Sequence, residues 1–459
     1  MTQYELYIGR AKVSYSIVYS GNSGNAYENT SFSCVDKNRE DLKKGLIKNL
    51  KMNVLIGILM YPPDFTGAGL RIHRLYSNLR KKGVNKVYVI TNSINKTEKK
   101  TRTYDGIEII YIGCNKYAGR QTHIGRKFLK TMFVLRIFFR TTITFLKLQS
   151  EVDIIHTVDS SWLSSLIGWY AFLVKKPLVK EIVSLGMDDP LTLQKTKLPL
   201  LRYFFLFPFH YARLVIVISP PLKDACTAYG LPADKIWCRF NPIYLDSLHE
   251  ENDTNIVSRY LDFSARRILW VGVIIRRKNL EFLLNAAFYL KGKIQLLIVG
   301  PHPDEEYFRE IISLSETITQ ETNGRIKISF LGRIDDRKEL VALYKNSHLF
   351  WFASHNEGLG NVVIESLLCG TPIVTLPVNN IMNYVIQNTE DGEVVNTDDP
   401  RYFADIVNIC LHNNIYHRDQ IAERAKKRFN HDQIENEYVF KFYDIMRLKM
   451  TDKYTEKSL

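Results

Sequence analysis

Cysteine is scarce in this chain of 459 residues. Cys34, Cys114, Cys226, Cys238, Cys369 and Cys410 are scattered, and no two have the spacing of zinc ligands or of a redox pair. That excludes a disulfide scaffold and points to ordinary buried thiols in a reducing compartment. Long apolar runs are missing too. The opening MTQYELYIGR lacks the apolar stretch of a secretory signal. Ser160–Val174 is uncharged but holds four serines and a glycine, and it falls short of the roughly 20 apolar residues that span a bilayer, so a core helix is expected there. The run Leu200–Ile218 is broken by Arg202, Pro208, His210 and Arg213. Acidic residues are short in one half only. Residues 1–250 carry 36 Lys and Arg against 19 Asp and Glu, net +17, whereas residues 251–459 carry 26 against 29, net −3. Such asymmetry implies an anionic partner for the first half.

What remains is the composition of a folded protein, 46% hydrophobic and 24% charged, long enough for two or three domains. Residues 1–51 are polar and without a clear period, and they read as an appendage. From Asn53 onward, apolar runs alternate with helix-length segments: Asn53–Met60, Lys86–Thr91, Ile107–Ile112, Asp153–Thr157, Leu178–Val183 and Leu214–Ile218. A polar stretch, DSLHEENDTN, follows. The second series is Arg267–Gly272, Ile294–Gly300, Arg325–Leu331, His348–Ala353 and Thr371–Thr375, and three helices close the chain. Strands alternating with helices imply parallel sheets with right-handed crossovers. The expected organisation is therefore α/β, two Rossmann-like doubly wound domains facing a cleft: 1–51 appendage, 52–245 first domain, 246–263 linker, 264–428 second domain, 429–459 helix and tail. Ligands of such sheets bind beyond the carboxyl ends of the strands.

The stretch WFASHNEGLGNVVIESLLCGTPIV, Trp351–Val374, places a strand, a loop with Gly358 and Gly360, and a helix from Asn361. Free backbone amides at such a helix start suit a phosphate. Glu357 on the loop can accept hydrogen bonds from sugar hydroxyls, and Glu365, deeper in the helix, can reach a ribose. A second strand–loop–helix, RILWVGVIIRRKNLEFLLNAA, carries Arg276, Arg277 and Lys278 where a leaving diphosphate needs fixed positive charge. A third, YPPDFTGAGLRIHRLYSNLRKKG, opens its helix at Gly67 and Gly69.

Ser354, Glu357, Gly358, Glu365, Gly370 and Pro372 together resemble the signature of retaining glycosyltransferases of family four, which have the GT-B architecture. Lys278, six residues after Gly272, is similar in position to that family's diphosphate-binding lysine. The resemblance covers about residues 52–450. It implies a retaining, hexosyltransferase-like enzyme that moves a sugar from a nucleotide-sugar to an acceptor, in the synthesis of cell-surface polysaccharide or glycolipid. The catalytic pair would be Glu357 and Lys278. The donor would meet Glu365, the backbone of Gly358, Leu359, Gly360 and Asn361, Arg277, the strand end at Arg333 and Ile334, and the first-domain glycines Gly67 and Gly69. The departures are specific. Val273 stands where the family commonly has arginine, leaving Arg276 or Arg277 to supply the cation; Val183 stands where many relatives have histidine, leaving Glu181, Ser184 or Asp188 near the sugar; and Asn241-Pro242 replaces an Asn-Gly. His156 matches a family position and suits a satisfied core histidine as well.

No Asp-x-Asp occurs, the pair that holds a metal in the other common glycosyltransferase architecture, so neither a metal nor another cofactor is expected. The expected partners are a nucleotide-sugar, a carbohydrate or lipid-linked acceptor and an anionic membrane surface, not nucleic acid. Residues 51–150 alone carry +15, and Gly125–Gln149 interleaves Arg126, Lys127, Lys130, Arg136, Arg140 and Lys147 with aromatic and aliphatic residues. Such a helix suits a membrane interface, or core packing with its cations reaching outward. The location implied is cytoplasmic, peripheral on the inner face of the membrane. The competing readings are a sugar-nucleotide epimerase of the same architecture and a non-catalytic membrane- or nucleic-acid-binding protein.

Overall fold

The computed structural model describes residues 2–8, 11–17, 51–62, 67–93, 101–114, 123–245, 254–412 and 416–455, with 2–8, 11–17, 93, 114, 123–134 and 448–455 described by backbone alone. Several features named above lie outside the described residues: Cys34, the loop 63–66, most of the polar stretch after Leu245, and the side chains of Arg126, Lys127 and Lys130.

Residues 1–46 form a unit of their own, which contains an antiparallel hairpin, β1 (Thr2–Ile8) and β2 (Ala11–Ile17), in register from Thr2 opposite Ile17 to Ile8 opposite Ala11. The expectation of a stretch without periodic structure is corrected here, because TQYELYI and AKVSYSI alternate with the period of two that a strand requires.

The second unit, residues 47–459, holds two sheets. The first runs β10 (Ile236–Cys238), β9 (Leu214–Val217), β8 (Leu178–Ile182), β7 (Ile154–Val158), β3 (Met52–Met60), β4 (Val84–Ser93), β6 (Ile107–Cys114), β5 (Thr101–Tyr104). All neighbours are parallel except the edge strand β5, which is antiparallel to β6. The second sheet is wholly parallel: β13 (Ile326–Gly332), β12 (Ile294–Val299), β11 (Arg266–Val271), β14 (Leu349–Phe352), β15 (Ile373–Thr375), β16 (Gly392–Val394). Strand order reverses between β3 and β7 in one sheet and between β11 and β14 in the other, and these are the crevices where doubly wound sheets bind ligands.

The central strands are buried on both faces, which is why they read as unbroken apolar runs rather than alternating ones. On the first sheet, Val54, Ile56, Val87 and Val89 meet α1 (Gly67–Leu79) on one side. Leu55, Tyr88 and Ile90 face the other side, which is covered by α2 (His123–Leu148), α3 (Trp162–Leu173) and α4 (Pro199–Tyr211). On the second sheet, Ile268, Trp270 and Ile298 pack against α5 (Leu280–Ala287), α6 (Glu305–Glu321) and α9 (Pro400–His412). Its opposite face meets α7 (Arg337–Asn346), α8 (Asn361–Leu368) and α10 (Arg418–Arg428).

The last helix, α11 (His431–Thr455), leaves the second domain and returns to the first: Ile434, Tyr438, Val439, Phe442 and Ile445 are buried in the same cluster as β3, β4 and α1. The chain thus crosses between the domains after β10 and again after α10, and the two crossings touch, Phe240 and Phe429 having ring centroids 5.4 Å apart. Glu435 and Glu437 at the start of α11 hold the outgoing segment: Tyr244 Oη donates to Glu435 at 2.7 Å and Arg239 Nη2 to Glu437 at 3.1 Å.

The helix α2 is unusual. Ile137, Thr141, Phe145 and Leu148 form its buried stripe, yet Leu135, Phe138, Phe139, Ile143 and Leu146 are exposed beside Arg136 and Lys147. The neighbouring α3 and α4 expose Trp162, Phe172, Leu173, Leu200 and Tyr203. No helix among the described residues is long and apolar enough to cross a membrane. The described free thiols are inert: burial pushes Cys226 and Cys369 up to about 12 and Cys238 up to about 11.

Candidate active site

A cavity of about 850 Å³ lies at the carboxyl ends of both sheets, between the two domains. Its second-domain wall is built by two loops, one after β11 and one after β14. The first loop ends in a short 3₁₀ turn, Arg276–Lys278, closed by Asn279 in the left-handed conformation. The second runs from Ala353 to Gly360, and Gly360, at φ 79°, caps α8.

The two loops meet at Glu357. Its Oε1 receives Lys278 Nζ at 2.5 Å, Ser354 Oγ at 2.8 Å and Arg277 Nη1 at 3.2 Å. Arg277 also donates to the Asn356 carbonyl. Burial pulls the Lys278 ammonium below its ordinary pKa, and the Glu357 carboxylate beside it opposes the shift. Lys278 and Glu357, 79 residues apart, are thus a single charged unit on the cavity wall. Of the two arginines that could stand in for the one missing at Val273, Arg277 lines the cavity; Arg276 instead pairs with Glu310 at 2.6 Å and lies over the Tyr307 ring.

Glu365 lines the cavity a turn into α8 and is 8% exposed. Arg337 Nη1, from the start of α7, approaches its Oε1 at 3.2 Å, and Tyr344 Oη donates to Oε2 at 3.2 Å. Arg333, Ile334, Gly358, Gly360, Asn361 and Gly67 also line the cavity. Two expected residues do not. Leu359 is 2% exposed in the apolar cluster, and Gly69 is buried within α1.

The first-domain wall touches the second domain closely. A Cβ on Gly358 would collide with the Val183 carbonyl oxygen, and Asn356 Nδ2 donates to the Leu185 carbonyl at 2.9 Å. Asn241, where Asn-Gly was expected, donates across the cleft floor to Asn361 Oδ1 at 2.9 Å. Of the three candidates near the position of Val183, Ser184 lines the cavity. Asp188 is turned inward, accepting from Ser160 N at 3.2 Å, and burial raises its carboxyl to about 6. Glu181 is fully buried and bonded to Arg71. His156 is likewise buried, taking Tyr76 Oη at 2.7 Å on Nδ1, with Nε2 3.2 Å from Glu181. It is a core histidine.

The residues that sequence reasoning passed over are Arg337, Asn356, Arg71 and Arg74, all on the cavity. Arg337 follows the Asp336 cap of α7, a placement that the Asp-Asp-Arg run after Ile334 could have signalled.

Residues 261–428 match the family described as Glycosyl transferases group 1. The chain is a glycosyltransferase. The match spans the second sheet and every residue of its cavity wall, with Lys278, Glu357 and Glu365 inside it. This glycosyltransferase is 23% identical over 403 residues to the N-acetyl-alpha-D-glucosaminyl L-malate synthase of Bacillus anthracis, covering 86% of this chain and 98% of that protein. It is 26% identical over 220 residues, 46% of this chain and 56% of the relative, to a Campylobacter jejuni alpha-1,4-N-acetyl-D-galactosaminyltransferase named for a diNAcBac-PP-undecaprenol substrate. Anabaena HepE, crystallised with UDP and glucose, superposes with a TM-score of 0.65 at 17% identity, covering 86% of this chain and all of that one. The architecture is GT-B, as the sequence resemblance implied.

Proposed function

We propose that this glycosyltransferase takes a nucleotide-sugar on the second-domain wall and transfers the sugar with retention to an acceptor held by the first domain. The observation that carries the reading is the Lys278–Glu357 pair, joined across two loops at the strand-order reversal of the second sheet. The donor diphosphate lies against Lys278, Arg277 and the amides of Gly358–Asn361, where fixed charge meets the charge that develops on the leaving group. Among the described residues, the three donors to Glu357 fall on Oε1, which leaves Oε2 to accept from the sugar hydroxyls. Glu365, held by Arg337 and Tyr344, takes the ribose hydroxyls. HepE, crystallised with UDP and glucose, supports a nucleoside diphosphate donor.

Retention proceeds by attack on the same face that the diphosphate leaves. Among the described residues, the cavity carboxylates are Asp335, Glu357 and Glu365, all on the second domain, and the first-domain wall has none. In this reading the leaving phosphate oxygen takes the acceptor proton. An epimerase would need acid and base groups on that first-domain wall.

The acceptor is a carbohydrate or lipid-linked molecule at a membrane surface, as the undecaprenol-linked substrate named for one relative suggests. The exposed apolar side chains of α2, α3 and α4, flanked by Arg136 and Lys147, form the face that meets anionic lipid. Glu357→Gln and Lys278→Ala test the core of this reading. Each is expected to lower the transfer rate by about 10²–10³ with the fold intact, the effect of losing one preorganised electrostatic contact. Near-normal turnover in both variants overturns it.

A further inference from the structure

The backbone of Arg277 is fixed from within the second domain, its carbonyl accepting from His355 N at 2.9 Å and from Ser354 Oγ at 3.1 Å. Its side chain is freer, 45% exposed on the cavity wall. There Nη1 donates to the Asn356 carbonyl and to Glu357 Oε1, the latter at 3.2 Å. A long cationic side chain gives up rotamer entropy when it is held in one geometry. The position of this charge therefore follows the orientation of the peptide between Asn356 and Glu357, which carries the acceptor.

The side chain of Asn356 is held from two directions, neither belonging to its own loop. Nδ2 donates to the Leu185 carbonyl of the first domain at 2.9 Å, and Oδ1 accepts from Asn379 Nδ2, in the turn after β15, at 3.0 Å. A backbone carbonyl can only accept, so the amino end of Asn356 faces the first domain. Both supports are themselves braced. Leu185 lies in a turn where Asp188 N donates to the Ser184 carbonyl at 3.1 Å and Gly186 N donates to Asp189 Oδ2 at 2.6 Å. On the other side, Val378, Asn379 and Asn380 have φ of 45°, 53° and 62°. Three successive left-handed residues without a glycine are strained, the β-branched Val378 most of all, and such strain persists where the surroundings enforce it. Val378 is buried in the apolar cluster, and the turn it anchors presents the exposed Asn379 to Asn356.

We infer that Asn356 is a positioning residue for the donor diphosphate: held jointly by the Leu185 carbonyl and by Asn379, it sets the peptide that aims the Arg277 guanidinium into the cavity. Contact with the first domain and binding of the diphosphate on the second then favour each other, although Asn356 itself touches no phosphate. This rests on the reading of Arg277 and Lys278 as the diphosphate cations, and the test separates the two. UDP and GDP are titrated by calorimetry into the full chain and its variants. Asn356→Ala is expected to weaken the binding of whichever nucleotide the wild type takes by about fivefold or more, the lower end of ordinary coupling between sites. Asn379→Ala should act in the same direction by a smaller factor, and it carries the same comparison should Asn356→Ala fail to fold, since Asn379 is exposed. A residue that acts through another adds little once that other is gone, so Asn356→Ala/Arg277→Gln should bind within about twofold of Arg277→Gln alone. Reciprocity requires a second signature. Small-angle scattering should show a larger radius of gyration for Asn356→Ala than for the wild type, and saturating nucleotide should bring it back toward the wild-type value. A general loosening of the fold would produce neither the non-additivity nor the recovery. If Asn356→Ala binds nucleotide as the wild type does, or if its loss multiplies in full with that of Arg277→Gln, the inference is overturned. Unchanged nucleotide binding by Lys278→Ala, with the Asn356–Arg277 pattern present, overturns the reading of the Lys278–Glu357 pair alone.

Discussion

Gly358 is a residue at which the two domains touch, and its requirement is steric rather than conformational. Its missing side chain admits the Val183 carbonyl, so Gly358→Ala is expected to disfavour the closed cleft by about 1–3 kcal/mol, the usual cost of overpacking a tight contact. Small-angle scattering should show a larger radius of gyration, and transfer should slow in proportion; an unchanged radius with normal turnover refutes this. His348, at the other end of the second sheet, sets an acid limit on stability. Burial and the neighbouring Arg267, Arg266 and Arg418 lower its imidazole from 6.5 to about 4, while Nδ1 accepts from the Arg267 amide at 3.0 Å. Its folded-state pKa is depressed, so the neutral form favours the fold, and the contribution is present above pH 6.5 and lost as pH falls toward 4. His348→Asn keeps an acceptor and removes the titration. The melting temperature of the variant should therefore fall less steeply between pH 6.5 and 4 than that of the wild type, and parallel curves would count against the assignment.

At the scale of elements, the Arg276–Lys278 turn and the start of α8 place positive charge where other enzymes recruit a divalent ion. Transfer is accordingly expected to survive excess EDTA; complete loss restored by manganese would show that these elements do not suffice. The same two elements were legible in the sequence, since an apolar run, a glycine loop and a helix stand in one local stretch. The central strands were legible for the same reason, each within one or two residues of its observed ends. What escaped was short, exposed or remote. The strands β10 and β16 have three residues each, too few to show a period, and β5 is exposed at every position. The hairpin β1–β2 did alternate, and its polar surroundings masked it. The Arg71–Glu181 pair joins residues 110 apart, and Tyr438 reaches Glu181 from 257 residues away. Such pairings depend on which strands become neighbours, and no local pattern records that.

At the scale of the molecule, the +17 charge of residues 1–250 gains a companion in the apolar side chains on α2, α3 and α4. Each Lys or Arg near an anionic surface contributes about 1 kcal/mol and is screened by salt, whereas buried apolar area contributes about 25 cal/mol per Å² and is not. Vesicle co-sedimentation should therefore show binding that salt weakens but does not abolish, with neutral vesicles binding poorly. Replacing Phe139, Leu146 and Leu200 with serine should remove the salt-resistant part without altering donor affinity. Equal binding of the wild type and the triple variant at high salt would assign these side chains to another partner.

The return of α11 to the first domain has a consequence for how the protein is made. Ile434, Tyr438 and Phe442 complete a core whose other walls, β3, β4 and α1, are synthesised more than 300 residues earlier. Domains generally fold in the order in which they emerge from the ribosome, but here the core of the earlier domain is completed only once α11 emerges. Until then it carries an open apolar groove that α11 fills, and pairing over so long a separation is slow. The second domain, contiguous from β11 to α10, folds without this delay. The first domain to be made is the last to be finished.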